Sequence, residues 1–181
     1  IEKYQIIKDE DIDVSDIPML IRRKFSHLDK LVLTVLSKIY DENIDEIIFT
    51  SKNGEFDRLK DIISQYQTDN MVSPIKFSSS VHNFSVSTFF QLNKITTPYS
   101  ALSAGDESLG AGLVSAIVQP DKRICVCYAD EVGIGVVIST AQTGYEFCDT
   151  IQTSDSIQDF IEFLNQNKSE WNTSYGRIKR V

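Results

Sequence analysis

The sequence predicts an α/β fold built on a mixed sheet with helices on both faces. Three observations carry that expectation. Short apolar runs rich in Ile, Val and Phe alternate with segments of helical periodicity, and two such runs meet at Gly133 as a hairpin. One further segment reads as a helix that is apolar all round, which requires cover on more than one side.

Each element has its own local reason. Ser26 stands where a helix needs a cap, and Leu28, Leu31, Val32, Val35, Leu36 and Ile39 follow at spacings of three and four, predicting a helix over 26–40. Residues 45–51, DEIIFTS, form a short apolar run before the turn-like Lys52, Asn53 and Gly54, which fits a buried strand. A helix is expected over 56–66 with Leu59, Ile62 and Ile63 inward. Residues 73–83, SPIKFSSSVHN, are rich in Ser and begin beside Pro74, so they read as a loop. A helix over 84–92, a strand over 99–104, a helix over 107–118 and strands over 123–132 and 134–140 follow. Ile157, Phe160, Ile161 and Leu164 share one stripe of a closing helix over 156–171. The helix over 107–118, ESLGAGLVSAIV, carries no charge after Glu107 and mixes Gly110, Ala111, Gly112, Ser115 and Ala116 with branched residues. One sheet covers one face of it, so a partner chain, another copy included, is expected to cover the other.

The composition bounds the function. The 181 residues carry 18 Lys and Arg against 26 Asp and Glu, a formal charge of −8, which argues against bulk binding to nucleic acid. Apolar residues are 41% and recur throughout, as one folded domain requires, with no run near the roughly 20 residues of a membrane span. The first residues show no signal-peptide pattern, so the cytoplasm is the expected compartment. Three cysteines, Cys125, Cys127 and Cys148, are too few for a disulfide framework. Charge is unevenly spread: the first twenty residues are acidic by four, Arg22, Arg23 and Lys24 stand together, and Arg177, Lys179 and Arg180 close the chain. Such clusters are either solvated surface or a docking patch for an acidic partner.

No motif yields a cofactor or metal site. Gly105 and Gly110 have phosphate-loop spacing, but Ala111 and Gly112 replace the required Lys and hydroxyl, and Asp106 and Glu107 repel phosphate. Those two acids instead suit a helix start. Gly133-x-Gly135 lacks a third glycine and reads as a turn. Cys125 and Cys127 share one strand face without a second ligand pair, so they read as buried hydrophobes. Of the two histidines, His27 near a helix start reads as structural. His82 follows Ser78, Ser79 and Ser80, where an imidazole can activate a hydroxyl, although no third member is fixed.

Several of these segments together resemble the β-ketoacyl-synthase-like N-terminal family, the short stand-alone relatives of the first half of ketoacyl-ACP synthases found in aryl polyene and flexirubin-type pigment clusters. They are Arg22-Arg-Lys-Phe-Ser-His-Leu-Asp-Lys-Leu31, Phe49-Thr-Ser-Lys-Asn-Gly-Glu55, Ser73-Pro-Ile-Lys-Phe-Ser-Ser-Ser-Val-His-Asn83, and Tyr99-Ser-Ala-Leu-Ser-Ala-Gly105 with its small-residue helix. The resemblance implies a thiolase-like half with a five-stranded mixed sheet over residues 1–150, followed by a helical extension over 151–181. It also implies that the central helix packs against a second half. In condensing enzymes of the family a Cys opens that helix; here Asp106 holds the matching position. The family's two catalytic histidines lie in a second half that these 181 residues do not contain, and His82 matches neither.

The resulting expectation is a ketoacyl-synthase-like accessory protein without the catalytic Cys. It would act in fatty-acid or polyketide biosynthesis by binding a carrier protein, an acyl chain or a partner synthase, as chain-length factors do. Arg22, Arg23 and Lys24 are the candidate docking residues for an acidic carrier, and a homodimer through 107–118 is a second partner expectation. An acyl-thioester hydrolase or transferase using Ser80 or Asp106 with His82, and a purely structural subunit, are the alternatives.

Overall fold

In the computed structural model, which describes residues 1–139, 145–148 and 155–180, parallel pairing of three apolar runs sets the centre of the main sheet. β2 (Glu46–Thr50) pairs in parallel with β3 (Tyr99–Leu102) on one side and β4 (Ile124–Ala129) on the other. The chain turns back through Asp130, Glu131 and Val132 into antiparallel β5 (Gly133–Ile138), and β1 (Lys3–Ile7) closes the sheet against β5. The order is β1-β5-β4-β2-β3, five strands in a mixed sheet, as expected. Alternation divides β4 between two cores: Cys125, Cys127 and Ala129 enter one, Ile124, Val126 and Tyr128 the other.

The first core lies under α2 (His27–Ile39) and α5 (Phe84–Asn93). Ser26 caps α2 by accepting from the Asp29 N–H at 3.0 Å, while Asp29 accepts from the Ser26 N–H at 2.9 Å, a reciprocal box of the kind that stabilises a helix start by about 1 kcal/mol. The apolar face predicted for this helix is fully buried. It descends directly onto β5, where a Cβ on Gly133 would stand 2.5 Å from Val35 and one on Gly135 would stand 2.9 Å from Ile39. The two glycines are therefore sites of close helix–strand approach within β5, and the expected turn at Gly133 is corrected to residues 130–132.

The second core lies under α6 (Ser108–Ile117), α7 (Ile157–Leu164) and a separate three-stranded sheet of β6 (Tyr145–Cys148), β8 (Gly176–Arg180) and β7 (Glu170–Thr173). The closing helix thus stops at Leu164, and Trp171 belongs to a strand whose indole packs on Phe160 at 4.5 Å. The stretch read as a helical extension contains a helix followed by a β-hairpin. Its basic end group is consumed internally: Arg177 pairs with Glu170, Lys179 with Glu146, and Arg180 donates to the final carbonyls of α7. The boundary expected at 150/151 and the end of the strand at Thr140 lie outside the described residues.

Cover for the second face of α6 comes in part from this same chain, correcting the expectation that a partner supplies that layer. Leu109, Leu113 and Ala116 are buried in the second core with Phe160 and Trp171, and Gly110 lies against Thr173. What remains is a narrower strip, with Ala111, Val114 and Ser115 half-buried and Val118 67% exposed.

Three further segments differ from the sequence reading. α1 (Met19–Arg22) begins after Pro18, and α4 (Pro74–Ser78) occupies the supposed loop, with Pro74 in the first turn, where its missing N–H costs nothing. α3 (Phe56–Asp69) turns only Ile62 fully inward; Leu59 and Ile63 are 41% and 49% exposed. Among the described residues no helix is long and apolar enough to cross a membrane.

Candidate functional site

Because β2, β3 and β4 run in parallel, their carboxyl ends emerge together, the place where open α/β sheets expose backbone and side chains to ligands. The loop after β2 is held there by Asp130, which follows β4. Asp130 accepts from the Ser51 hydroxyl at 2.8 Å and from the Lys52 N–H at 2.7 Å. Ser51 in turn accepts from the Gly54 N–H at 2.8 Å. Gly54 has φ +54°, and a Cβ there would stand 2.7 Å from Nδ1 of His82, so the loop passes over the imidazole only because no side chain intervenes. His82 itself rests on Phe49 with ring centres 5.2 Å apart. Burial lowers its pKa, against the opposing pull of Asp130 and the Leu102 carbonyl, which favours the neutral ring. Its Nε2 is buried without a hydrogen-bond partner among the described residues.

The start of α6 faces this corner. Ser108 ties its first turn by donating to the Gly105 carbonyl at 2.7 Å and accepting from the Ala104 N–H at 3.0 Å. Asp106 lies just before it, 85% exposed at the side chain, and forms an ion pair with Lys52, whose pKa it raises. Glu107 accepts from the Ser174 N–H in the β7–β8 turn. The structure therefore brings Asp106, Lys52, Asp130 and His82 to one end of the sheet. It does not bring Ser80 into play: that hydroxyl donates to the Phe77 carbonyl at 2.8 Å, and no hydrogen bond joins it to His82. Cys125 and Cys127 offer no nucleophile here either. Burial pushes the Cys125 thiol up to about 12 and raises Cys127 well above the ordinary thiol value, so neither forms a thiolate near neutrality. Among the described residues no group of three or more His, Cys, Asp or Glu stands close enough to hold a metal.

Beside the corner lies a buried ionic cluster that no sequence motif announced. Arg58 donates to Asp29 at 2.6 Å and pairs with Glu55 at 3.0 Å, both carboxylates being almost wholly buried. It also donates to the carbonyls of Lys24 and Ser79 at 2.7 Å each, tying the turn after α1 to the loop that carries His82. Asp29 takes a further bond from Ser85 and Glu55 one from Ser26, both at 2.7 Å. Burial raises the Glu55 pKa to about 7, with the Asp29 charge adding to it and Ser26 and Arg58 opposing.

Two surfaces complete the picture. Arg23 and Lys24 are exposed and Arg22 half-buried, and none of the three has an ion-pair partner among the described residues. Arg22 and Arg23 rim a shallow pocket of about 600 Å³ with Met19, Ile12, Asp9 and His27. His27 meets Asp9 at 3.2 Å. The other surface is the open edge of β3. The carbonyls of Pro98 and Leu102 are taken by the N–H groups of Ile47 and Ser51, so the main-chain groups of Tyr99 and Ala101 point away from the sheet. Ser100 and Ala101 are exposed, and no Lys, Pro or bulge protects the edge.

The family described as β-ketoacyl synthase, N-terminal domain, matches residues 2–132. Among curated proteins none matches the chain. Among solved structures, a ketosynthase (ApeO) in complex with its chain length factor (ApeC) from Xenorhabdus doucetiae includes a chain similar to this one, with a TM-score of 0.76 at 19% identity. The match covers 98% of this chain and 97% of that chain. A second similar chain comes from the ishigamide ketosynthase/chain length factor, with a TM-score of 0.57 at 12% identity, covering 69% of this chain and 49% of that one. At these identities the likeness shows the fold.

Proposed function

We propose that this chain, which belongs to the β-ketoacyl synthase N-terminal domain family, serves as the non-condensing partner of a ketosynthase in fatty-acid or polyketide assembly of the aryl polyene type. The observation that carries the reading is the start of α6. Where condensing enzymes of the family place their Cys, this chain has Asp106, an exposed carboxylate held by Lys52. A carboxylate does not hold and release an acyl group as a thiolate does, and the thiols of Cys125 and Cys127 are buried beneath α2 with their ionisation suppressed.

Acting through binding then needs a surface, and the open edge of β3 supplies one of a defined kind. A second chain of the same fold can add its own edge strand there, satisfying the outward main-chain groups of Tyr99 and Ala101. The matched complex, described as a ketosynthase with its chain length factor, supports a partner of this type. The alternative of an acyl-thioester hydrolase has less support, since His82 has no hydroxyl within hydrogen-bond reach among the described residues. A carrier protein remains a second ligand of this reading, through Arg22, Arg23 and Lys24.

Light scattering of the chain alone and mixed with the ketosynthase of its own gene cluster tests the proposal. The expected result is a one-to-one complex. A chain that stays apart from the ketosynthase, or that pairs only with a second copy through the strip on α6, overturns it.

A further inference from the structure

α3 buries only one flank of its apolar face. Ile62 is buried, but Phe56, Leu59, Ile63 and Tyr66 recur at spacings of three, four and three on the adjoining stripe and are 41–54% exposed. That spacing is the seam by which one helix packs along another. The adjoining α4 adds Ile75 and Phe77, exposed by 63% and 62%. Side chains of these types present about 150–250 Å² each when free, so the six together leave on the order of 600 Å² of apolar surface uncovered. That is the upper limit for a chain that works alone, and most of the roughly 800 Å² that each side of a stable interface contributes.

The arm formed by α3 and α4 is anchored rigidly at its base. Arg58, in the first turn of α3, reaches the Ser79 carbonyl just after α4, and Lys76 donates to Gln65 at 3.3 Å between the two helices. The chain then runs from α4 to Asn83, whose side-chain amide donates to the Tyr99 hydroxyl at 3.1 Å, on the exposed edge strand. The apolar arm and the open β3 edge are thus joined by fixed structure.

We infer that the α3–α4 arm is a docking arm that lays the stripe Phe56, Leu59, Ile63 and Tyr66 along an apolar helix of the nucleophile-bearing ketosynthase subunit pairing at β3. The inference rests on the reading of the chain as a ketosynthase partner. It commits to that subunit over a second copy because two copies of this chain would bring two Asp106 positions and no nucleophile. A two-point grip also fixes orientation, which one short strand of four residues does not.

The test is association of the full chain with the ketosynthase of its own cluster, measured by titration calorimetry, for wild type, Leu59→Glu/Ile63→Glu and Ala101→Pro. Both replaced arm residues are about half exposed, so far-ultraviolet circular dichroism and the melting temperature of the free variant should match wild type. Affinity should fall at least a hundredfold for the arm variant, since buried apolar anchors carry most of an interface. Ala101→Pro removes an outward N–H and should weaken binding independently. Unchanged affinity of the arm variant, with wild type and Ala101→Pro behaving as expected, overturns the arm and leaves the partner reading standing. A free wild-type dimer that the arm variant makes monomeric assigns the stripe to a second copy and overturns the inference. No binding by wild type overturns the reading and the arm together.

Discussion

Replacing Glu55 by Gln is the sharpest perturbation of the buried ionic cluster. Two carboxylates, Asp29 and Glu55, share one guanidinium, with Ser26 and Ser85 as the remaining donors and the carbonyls of Lys24 and Ser79 as further acceptors for Arg58. Burial and the Asp29 charge raise Glu55 from its ordinary 4.5 to about 7. The folded chain therefore keeps this proton up to about pH 7, whereas the unfolded chain releases it near 4.5. Between those values the folded state binds more protons, so this group's contribution to stability is fully present at low pH and is lost as pH rises. At about 1.4 kcal/mol per unit, the loss across the window is about 3 kcal/mol at most. Gln keeps the shape and has no proton to lose. Urea unfolding of both proteins at several pH values between about 4.5 and 8 should show the variant gaining on wild type by up to that amount as pH rises. A difference in stability that does not change with pH refutes the reasoning, because Glu55 then carries the same charge in both states throughout.

Three further outcomes follow from local geometry. Gly112→Ala places a Cβ 2.5 Å from Thr50 and 3.0 Å from Val126 on the central strands, so overpacking of roughly 1–3 kcal/mol should exceed the gain in helix propensity of about 1 kcal/mol; a lowered melting temperature checks this, and a raised one contradicts it. Asp106→Asn should return the Lys52 ammonium toward its ordinary pKa, read by NMR titration, and, if the proposed non-condensing role holds, leave the product yield of the ketosynthase complex unchanged. Arg22→Glu/Arg23→Glu/Lys24→Glu should weaken binding of an acidic carrier protein at low salt and reduce its salt dependence; equal affinity for wild type and variant removes those residues from carrier docking.

Where local chemistry decided the structure, the sequence was readable. Ser26 and the stripe from Leu28 to Ile39 specified α2 to within a residue, and the alternation of β4 placed Cys125 and Cys127 in the core. α3 misled because only the Ile62 flank of its apolar face is covered, and periodicity reports that a stripe exists without saying what covers it. β1 was missed since KYQII buries only Ile7 completely, leaving an edge strand with a weak pattern. The Ser-rich stretch hid α4 although Pro74 was a readable first-turn signal. The turn between Thr173 and Gly176 was likewise available as a hairpin mark just beyond the expected closing helix. At the candidate site, Asp106 was legible through its position in a family pattern. The cluster of Asp29, Glu55 and Arg58 was not, because Asp29 lies far in sequence from the neighbouring Glu55 and Arg58 and only burial makes their charges matter. His82 was noticed for the neighbouring serines, but its real contacts are Phe49, Gly54 and Leu102, all brought to it by the sheet.

Reconstituted condensation tests the central claim most directly. Product formation from an acyl-loaded and a malonyl-loaded carrier protein should be measured with the chain alone, with the ketosynthase of its cluster alone, and with both. The account predicts no product from this chain alone, and product from the mixture that depends on the ketosynthase's nucleophile. Condensation by this chain alone, or a ketosynthase whose yield and product length are indifferent to its presence, would contradict it.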